Sequence, residues 1–149
     1  MPTPCANFSF LLSADDSRST LGNVVQACAA LGRLPPETTY LPSGVQRSSL
    51  TIDPRPPAGI PRGVALSYIS AGEDVAFLDV RKGSATGAVD GQPVDIGGAQ
   101  GRVSTRALPD GTQFRSYIWT RDGMVLVMRV HLIHGITEEM ADRMAASVH

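Results

Sequence analysis

The sequence predicts an α+β fold, with an antiparallel sheet of five to six strands and an N-terminal and a C-terminal helix packed on one face. Three observations predict it: amphipathic helical spacing near both ends of the chain, alternation of apolar and polar residues between them, and turn residues that separate the alternating segments. Helices on one face of an antiparallel sheet are typical of the α+β class. The chain has 149 residues and is expected to form a single domain, residues 1–149, around one core.

The first helix is predicted over residues 17–31. Asp15-Asp16-Ser17 offers N-cap side chains, and Gly32 lies where a glycine commonly ends a helix. The apolar residues between them fall on one helical stripe, and they are Leu21, Val24, Val25, Cys28 and Leu31. This stripe is expected to pack against the sheet.

A proline-rich crossing is predicted over residues 33–63, because closely spaced prolines remove backbone donors and favour extended chain. Within it, residues 48–52 could form an edge strand, a position that tolerates nearby proline. The sheet proper is predicted over about residues 64–133, with strands at 64–69, 75–80, 94–96, from 102 onward, 112–120 and 124–133.

Asp122-Gly123, flanked by alternating apolar residues, predicts a hairpin with a two-residue type I′ turn. In that register Trp119 pairs with Leu126, and Tyr117 pairs with Met128. One face of the hairpin then carries Tyr117, Trp119, Met124, Leu126, Met128 and Val130, with Arg115 and Arg121 at its ends. We expect the two helices to bury this face, which makes Trp119 a core residue.

The opposite face of the same hairpin mixes apolar and polar side chains. Its candidate ligand or partner residues are Phe114, Ile118, Val127, Arg129 and His131. If the protein has a binding site, we expect it on this face. The alternative is that the proline-rich crossing covers the face.

The last helix is predicted over residues 137–148. Thr137 can cap it, and Glu138 and Glu139 in its first turn interact favourably with the helix dipole. Apolar residues then recur every four positions, at Ile136, Met140, Met144 and Val148.

Composition excludes some classes of function. Hydrophobic residues make up 42% of the chain and charged residues 18%, with a net charge of −1, which is ordinary for a soluble globular protein. Nucleic acid is therefore not an expected partner. Cys5 and Cys28 lack metal-ligand spacing; a buried free thiol at Cys28 and a Cys5–Cys28 disulfide both stay open, and the disulfide would need an oxidising compartment. The first residues do not resemble a signal peptide, so the protein is expected to be either cytoplasmic or exported with its signal removed.

No catalytic constellation, metal site or cofactor motif is recognised in the sequence. His131 and His134 lie three residues apart at a strand end, where their side chains would point to opposite faces, so no shared metal is expected. Asp79 shares a predicted face with Val75 and Phe77 and is the carboxylate for which a raised pKa is expected. A small enzyme would assemble its site from Asp79, His131 or His134 with an arginine.

Ordered motifs resemble an uncharacterised bacterial domain family found at the extracytoplasmic ends of membrane-anchored anti-sigma factors and in exported lipoproteins. The resemblance covers about residues 20–148 and is carried by LGNVVQACAALG, TTYLPSGVQRSSLTI, VALSYISAGEDVAFLDVRKG, PVDIGGAQGRV, FRSYIWTRDGMVLVMRV and ITEEMADRMAASV. It implies an extracytoplasmic location and a role in signalling. The family has no established catalytic residues, and it would reach a membrane only through an anchor that is missing here.

Three functions are therefore weighed. The first is a non-enzymatic extracytoplasmic sensor or interaction domain that binds a partner protein or a small apolar ligand on its sheet. The second is a small enzyme with a site around Asp79, His131 and His134. The third is a homo-oligomeric structural protein that associates through a sheet edge or face.

Overall fold

The computed structural model describes residues 28, 31, 33, 35–52, 63–83 and 91–149. Within them one antiparallel sheet is followed by a helix. The strands are β1 (Gln46–Ile52), β2 (Val64–Ser70), β3 (Glu73–Lys82), β4 (Gln92–Ile96), β5 (Ala99–Ala107), β6 (Gln113–Arg121) and β7 (Met124–His131), and the helix is α1 (Glu138–Ala146). No helix among these residues has the length and apolar character needed to cross a bilayer.

The order of the strands in the sheet is β1-β2-β3-β7-β6-β5-β4, with every neighbouring pair antiparallel. Two meanders, β1 to β3 and β4 to β7, therefore meet where β3 pairs with β7. Two-residue turns with positive φ close three of the hairpins, at Ala71-Gly72 (52° and 79°), Gly97-Gly98 (59° and 93°) and Asp122-Gly123 (52° and 76°). These angles are those of type I′ turns, whose twist matches the twist of the flanking strands.

The strand number corrects the sequence prediction of five to six. The described residues form seven strands, because the segment before the second proline cluster pairs with β2 along Gln46–Ile52 and because β4 and β5 are a full hairpin. The predicted edge strand at residues 48–52 is confirmed, and the sheet begins there rather than at residue 64. The strand predicted from residue 102 onward begins earlier, at Ala99, which already pairs with Ile96.

The N-terminal half of the prediction lies mostly outside the described residues. Of the helix predicted over residues 17–31, only Cys28 and Leu31 are described; both are helical and buried. Leu31 packs into the same core cluster as the buried strand residues, as expected for a helix that packs on the sheet. The packing of a complete N-terminal helix on the sheet therefore stays a prediction.

The core lies on one face of the sheet. Tyr117, Trp119, Leu126 and Met128 are each at most 2% exposed, so the hairpin face predicted to be buried is buried. The predicted register is also confirmed, because Trp119 pairs with Leu126 and Tyr117 with Met128. β2 and β3 add further buried side chains to this face, namely Val64, Leu66, Tyr68, Leu78 and Val80. Burying each large apolar side chain contributes roughly 1.5–3 kcal/mol.

α1 packs on the β4 and β6 part of this buried face and confirms the helix predicted over residues 137–148. The side chain of Thr137 accepts a hydrogen bond from the Met140 amide at 3.2 Å, as an N-cap residue does. Ala141, Met144 and Ala145 are buried toward the sheet, while Glu138 and Glu139 lie in the first turn, where the helix dipole favours acidic side chains.

A short strap, residues 37–40, holds the end of α1 in place. Glu37 and His149 exchange two backbone hydrogen bonds, with N to O distances of 3.0 and 3.1 Å. The Thr38 hydroxyl donates to the Met144 carbonyl at 2.7 Å, and the Thr38 amide donates to the Tyr68 hydroxyl at 3.3 Å. The last carbonyls of a helix have no partner within the helix, so the strap satisfies groups that burial would otherwise leave unpaired.

Substitution of Trp119 tests the burial of this face. We expect Trp119→Ala to lower the free energy of unfolding by about 3–5 kcal/mol, because it leaves a large cavity between the sheet and α1. Ile118→Ala changes the neighbouring residue on the opposite face, and its cost should be about 1 kcal/mol or less. Urea denaturation followed by circular dichroism measures both. Equal costs for the two variants would contradict the assignment of the faces.

Candidate functional site

The face of the sheet opposite α1, called the open face below, carries all five residues predicted as a binding surface. Phe114, Ile118, Val127, Arg129 and His131 are half-buried or exposed, whereas their chain neighbours Tyr117, Trp119, Met128 and Val130 are buried. They come from two adjacent strands: Phe114 pairs with His131 and Ile118 with Val127. The alternation of side chains along β6 and β7 therefore brings the five residues together.

A groove of about 430 Å³ lies on the open face. That volume falls within the range of about 300–1,000 Å³ typical of ligand pockets. The apolar side chains that line it are Phe77, Leu108 and Phe114, and the polar ones are Ser104, Ser116, Arg106 and Arg129. Two of the five predicted residues thus line the groove, and its lining contains two arginines and no carboxylate.

The strand register explains how the groove forms. One row of side chains crosses four strands, from Phe77 through Arg129 and Ser116 to Ser104. The small serines leave a depression between the larger groups on either side. Arg106 lies across from Phe114 in the next row, and Arg129 lies diagonally from Phe114 on the other neighbouring strand. The sequence motifs did not predict that Ser104 and Arg106 line the groove. Their position depends on the register of β5 with β6, which is set by the length of the turn at residues 108–112.

His131 lies at one end of the groove rather than in it. Its ring stacks on Phe114 with centroids 4.4 Å apart and an interplanar angle of 18°. Its Nε2 is 2.7 Å from the Thr112 hydroxyl, which donates to the Asp110 carboxylate at 2.6 Å. The hydrogen bonds from the Thr112 hydroxyl and amide lower the pKa of Asp110. These contacts fix the ring of His131, and through the stacking they fix Phe114.

Asp79 also lies on the open face, between Ala65 and Val127. Desolvation among the neighbouring strand residues raises the pKa of Asp79, and Arg81 and Arg129 partly offset that effect. The expectation that Asp79 shares this face with Val75 is wrong. A bulge shifts the β2–β3 register beside Val75, so that Val75 and Ala76 are both buried and only Phe77 remains on the side of Asp79.

The carboxylate and the two histidines named in the enzyme hypothesis, Asp79, His131 and His134, do not lie close together. Asp79 pairs with Val127, four residues before His131 on the same strand, which separates the two by about 14 Å. His134 lies in the turn after β7, with Nε2 3.7 Å from a Glu73 carboxylate oxygen. In the part of the chain that is described, no three His, Cys, Asp or Glu side chains are grouped so as to hold a metal ion.

A second polar cluster, Arg115, Tyr117 and Asp142, was not anticipated from the sequence. Arg115 Nε donates to Asp142 Oδ1 at 2.8 Å and to the Tyr117 hydroxyl at 3.0 Å, and that hydroxyl donates to the same carboxylate. Burial, and then the Asp142 charge, raises the pKa of Tyr117. Desolvation would lower the pKa of Arg115, but its hydrogen bonds to Asp142 and Tyr117 outweigh it and raise that pKa. The cluster joins β6 to α1 and lies on the face away from the groove.

The cysteine prediction falls partly within the described residues. Cys28 is 2% exposed and disulfide-bonded. Cys5 lies outside the described residues, so its pairing with Cys28 stays a prediction.

The chain was compared with known proteins. No protein-family model matches it, and no curated protein matches it. The family resemblance drawn from the sequence motifs therefore stays an expectation.

Among solved structures, this chain is similar to MucB. The crystal structure of MucB in complex with MucA(peri) is 21% identical, with a TM-score of 0.46, over 78% of this chain and 37% of that chain. The complex structure of Pseudomonas aeruginosa MucA/MucB is 20% identical, with a TM-score of 0.47, over 78% and 35%. A crystal structure from Bacteroides thetaiotaomicron is 14% identical, with a TM-score of 0.44, over 74% and 43%. This chain spans about a third of the length of the MucB chains, and likenesses at this level assign it neither a partner nor an activity.

The pKa of Asp79 leads to a prediction about stability and pH. Because that pKa lies above its ordinary value of 3.8 in the folded protein, folding favours the protonated form. The stability that Asp79 contributes is complete below the unfolded pKa and is lost as the pH rises through the folded pKa. We therefore expect Asp79→Asn to become more stable relative to the unchanged protein as the pH rises from 3.8 toward neutrality.

Urea denaturation of both proteins across that pH range measures the difference. A variant whose stability relative to the unchanged protein falls as the pH rises over that range would contradict the prediction. It would mean that attraction to Arg81 and Arg129 exceeds the desolvation of the carboxylate.

Proposed function

We propose that the chain is a non-enzymatic, extracytoplasmic interaction domain that binds its partner in the groove on the open face. The observation that carries the proposal is the groove itself, which has a volume of about 430 Å³ and is lined by aromatic and aliphatic side chains and two arginines. Aromatic residues and arginine are the types most enriched in the energetically dominant parts of protein interfaces.

The remainder of the open face also supports binding. Ile118 and Val127 form an apolar pair one row away from the groove, and both are partly accessible to solvent. They would extend the apolar contact of a partner seated on Phe77 and Phe114. Among the described residues, α1 packs on the buried face and no helix packs on the open face, so the open face is the one proposed for a partner.

The proposal is preferred over the enzyme hypothesis because the groove lacks the groups that acid–base or nucleophilic catalysis needs. Among the described residues, its lining has no carboxylate, histidine or cysteine. The serines in it have no described histidine as hydrogen-bond partner, whereas nucleophilic serines are activated by an adjacent base.

Two considerations support the extracytoplasmic part of the proposal. A disulfide at Cys28 would persist in an oxidising compartment. The family that the sequence motifs resemble is extracytoplasmic, and a role in signalling beside an anti-sigma factor belongs to the same proposal.

An unbiased selection of short peptides tests where this chain binds. Peptides selected from a random display library are titrated into isotope-labelled protein, and the backbone amide shifts are followed by NMR. We expect the perturbed amides to cluster in β3, β5, β6 and β7. Phe114→Ala should weaken binding by roughly tenfold, an effect of about 1.4 kcal/mol.

Met140→Ala is the matched control, because Met140 is also a partly buried apolar residue but lies on α1. It should leave the affinity unchanged. Selected peptides that perturb α1 or the strap instead of the open face would refute the proposed site, as would equal losses in the two variants.

A further inference from the structure

Two arginines of the groove differ from the other arginines in the described residues. Nine arginines are described, and seven of them have a hydrogen bond, an ion pair or a ring contact: Arg33, Arg47, Arg81, Arg102, Arg115, Arg121 and Arg143. The other two are Arg106 and Arg129, and both line the groove. Neither has a described carboxylate within 4.0 Å, although Arg129 acts on Asp79 at longer range.

We propose that the groove binds an extended acidic segment of a partner protein, with acidic side chains at positions i and i+4 and an apolar side chain at i+2. This inference rests on the proposed function and specifies the chemistry of the partner. The guanidinium groups of Arg106 and Arg129 take the two carboxylates, and the aromatic ring of Phe114 takes the apolar side chain. Guanidinium matches carboxylate in a bidentate geometry, which an ammonium group cannot provide.

The spacing of the two arginines sets the spacing of the acidic residues. Arg106 lies on β5 across from Phe114, and Arg129 lies on β7, two residues from the partner of Phe114. Strand spacing and rise place their Cα atoms about 12 Å apart, with the connecting line crossing β6 between Phe114 and Ser116. In an extended chain, residues i and i+4 are about 13 Å apart, and i, i+2 and i+4 point to the same side.

The polar groups in the groove favour a peptide over a hydrocarbon chain. Ser116 lies on β6, between the strands of the two arginines, and Ser104 pairs with it on β5; their hydroxyl groups can each donate and accept a hydrogen bond. An extended peptide has unpaired backbone groups that need such partners when they leave water. An acyl chain offers none and would desolvate the hydroxyls without compensation.

The local charge favours an acidic segment. The described groove lining holds two positive charges and no carboxylate, and Asp79 acts on only one of them at longer range, so a basic segment would meet an excess of like charge. Nucleic acid is disfavoured because the chain as a whole carries a net charge of −1 and two arginines neutralise few phosphates.

Synthetic peptides on the full chain test the proposal by fluorescence anisotropy. The acidic peptide has Glu at i and i+4 and Leu at i+2, and the comparison peptides replace both Glu residues by Gln or by Lys. We expect the acidic peptide to bind and the Gln peptide to bind at least roughly tenfold more weakly, equivalent to about 1.4 kcal/mol. The Lys peptide should not bind, and added salt should weaken the acidic peptide.

Arg106→Gln and Arg129→Gln should each weaken the acidic peptide by roughly tenfold while leaving the Gln peptide unchanged. Arg143→Gln is the matched control, since Arg143 is an arginine of α1 that stacks on Tyr40 at 4.1 Å. It should bind the acidic peptide normally. All three arginines are exposed, so these variants are expected to fold, and circular dichroism checks that they do.

Distinct outcomes separate this inference from the proposed function. If the Gln peptide binds as tightly as the acidic peptide and still perturbs the open face, the acidic partner is refuted and the binding face stands. If the acidic peptide binds elsewhere and display-selected peptides do too, both are refuted.

Two further measurements with the same variants can overturn the inference in favour of another occupant. Anionic phospholipid vesicles that bind through Arg106 and Arg129 better than the acidic peptide would indicate a lipid surface. Light scattering that shows self-association, lost in Arg129→Gln, would indicate a second copy of this chain.

Discussion

The two-residue turn at Asp122-Gly123 determines which side chains face the core. Its positive φ angles of 52° and 76° allow only one pairing of β6 with β7, in which Trp119 lies across from Leu126. A slip of one residue would move every side chain of a strand to the other face. The buried surface under α1 and the groove on the open face are therefore two consequences of one register, and neither could change without the other.

The described contacts that join α1 to the sheet stabilise the fold and lie away from the groove. α1, the strap and the Arg115–Tyr117–Asp142 cluster all lie on the buried side, where they satisfy the helix end and join it to β6. The arginines that take part in such contacts stabilise the fold. Arg106 and Arg129 take no part in them, and the strand register places both near the ring of Phe114. This division separates the arginines that stabilise the fold from the two that the proposed partner would contact.

Local sequence signals predicted the parts of the fold that depend on local chemistry. Asp122-Gly123 identified the hairpin, its register and the burial of Trp119, and Thr137 with the two following glutamates identified the start of α1. These signals depend on turn geometry and helix caps, which involve residues close together in the chain. The five residues expected on a binding face share that face for the same reason, since alternation along a strand is a local property.

Other features depend on pairings between distant segments. The bulge that turns Val75 into the core arises from the match of β2 with β3, and alternation alone places Val75 beside Asp79. β1 and the strap are held by residues distant in the chain. β1 pairs with β2, and Thr38 of the strap forms hydrogen bonds with Tyr68 and Met144. Arg106 and Ser104 enter the groove only once β5 is paired with β6. Alternation and turn residues are local signals, so they did not predict these long-range contacts.

Hydroxyl-radical footprinting of the chain, alone and with a bound peptide, tests the separation of the two faces most directly. Trp119 is the only tryptophan, so its oxidation reports the buried face, while oxidation of Phe114 reports the groove. We predict that Trp119 resists oxidation in both states and that Phe114 is oxidised in the free protein and protected in the complex. Oxidation of Trp119 in the free protein, followed by its protection on binding, would contradict the assignment of one face to stability and the other to recognition.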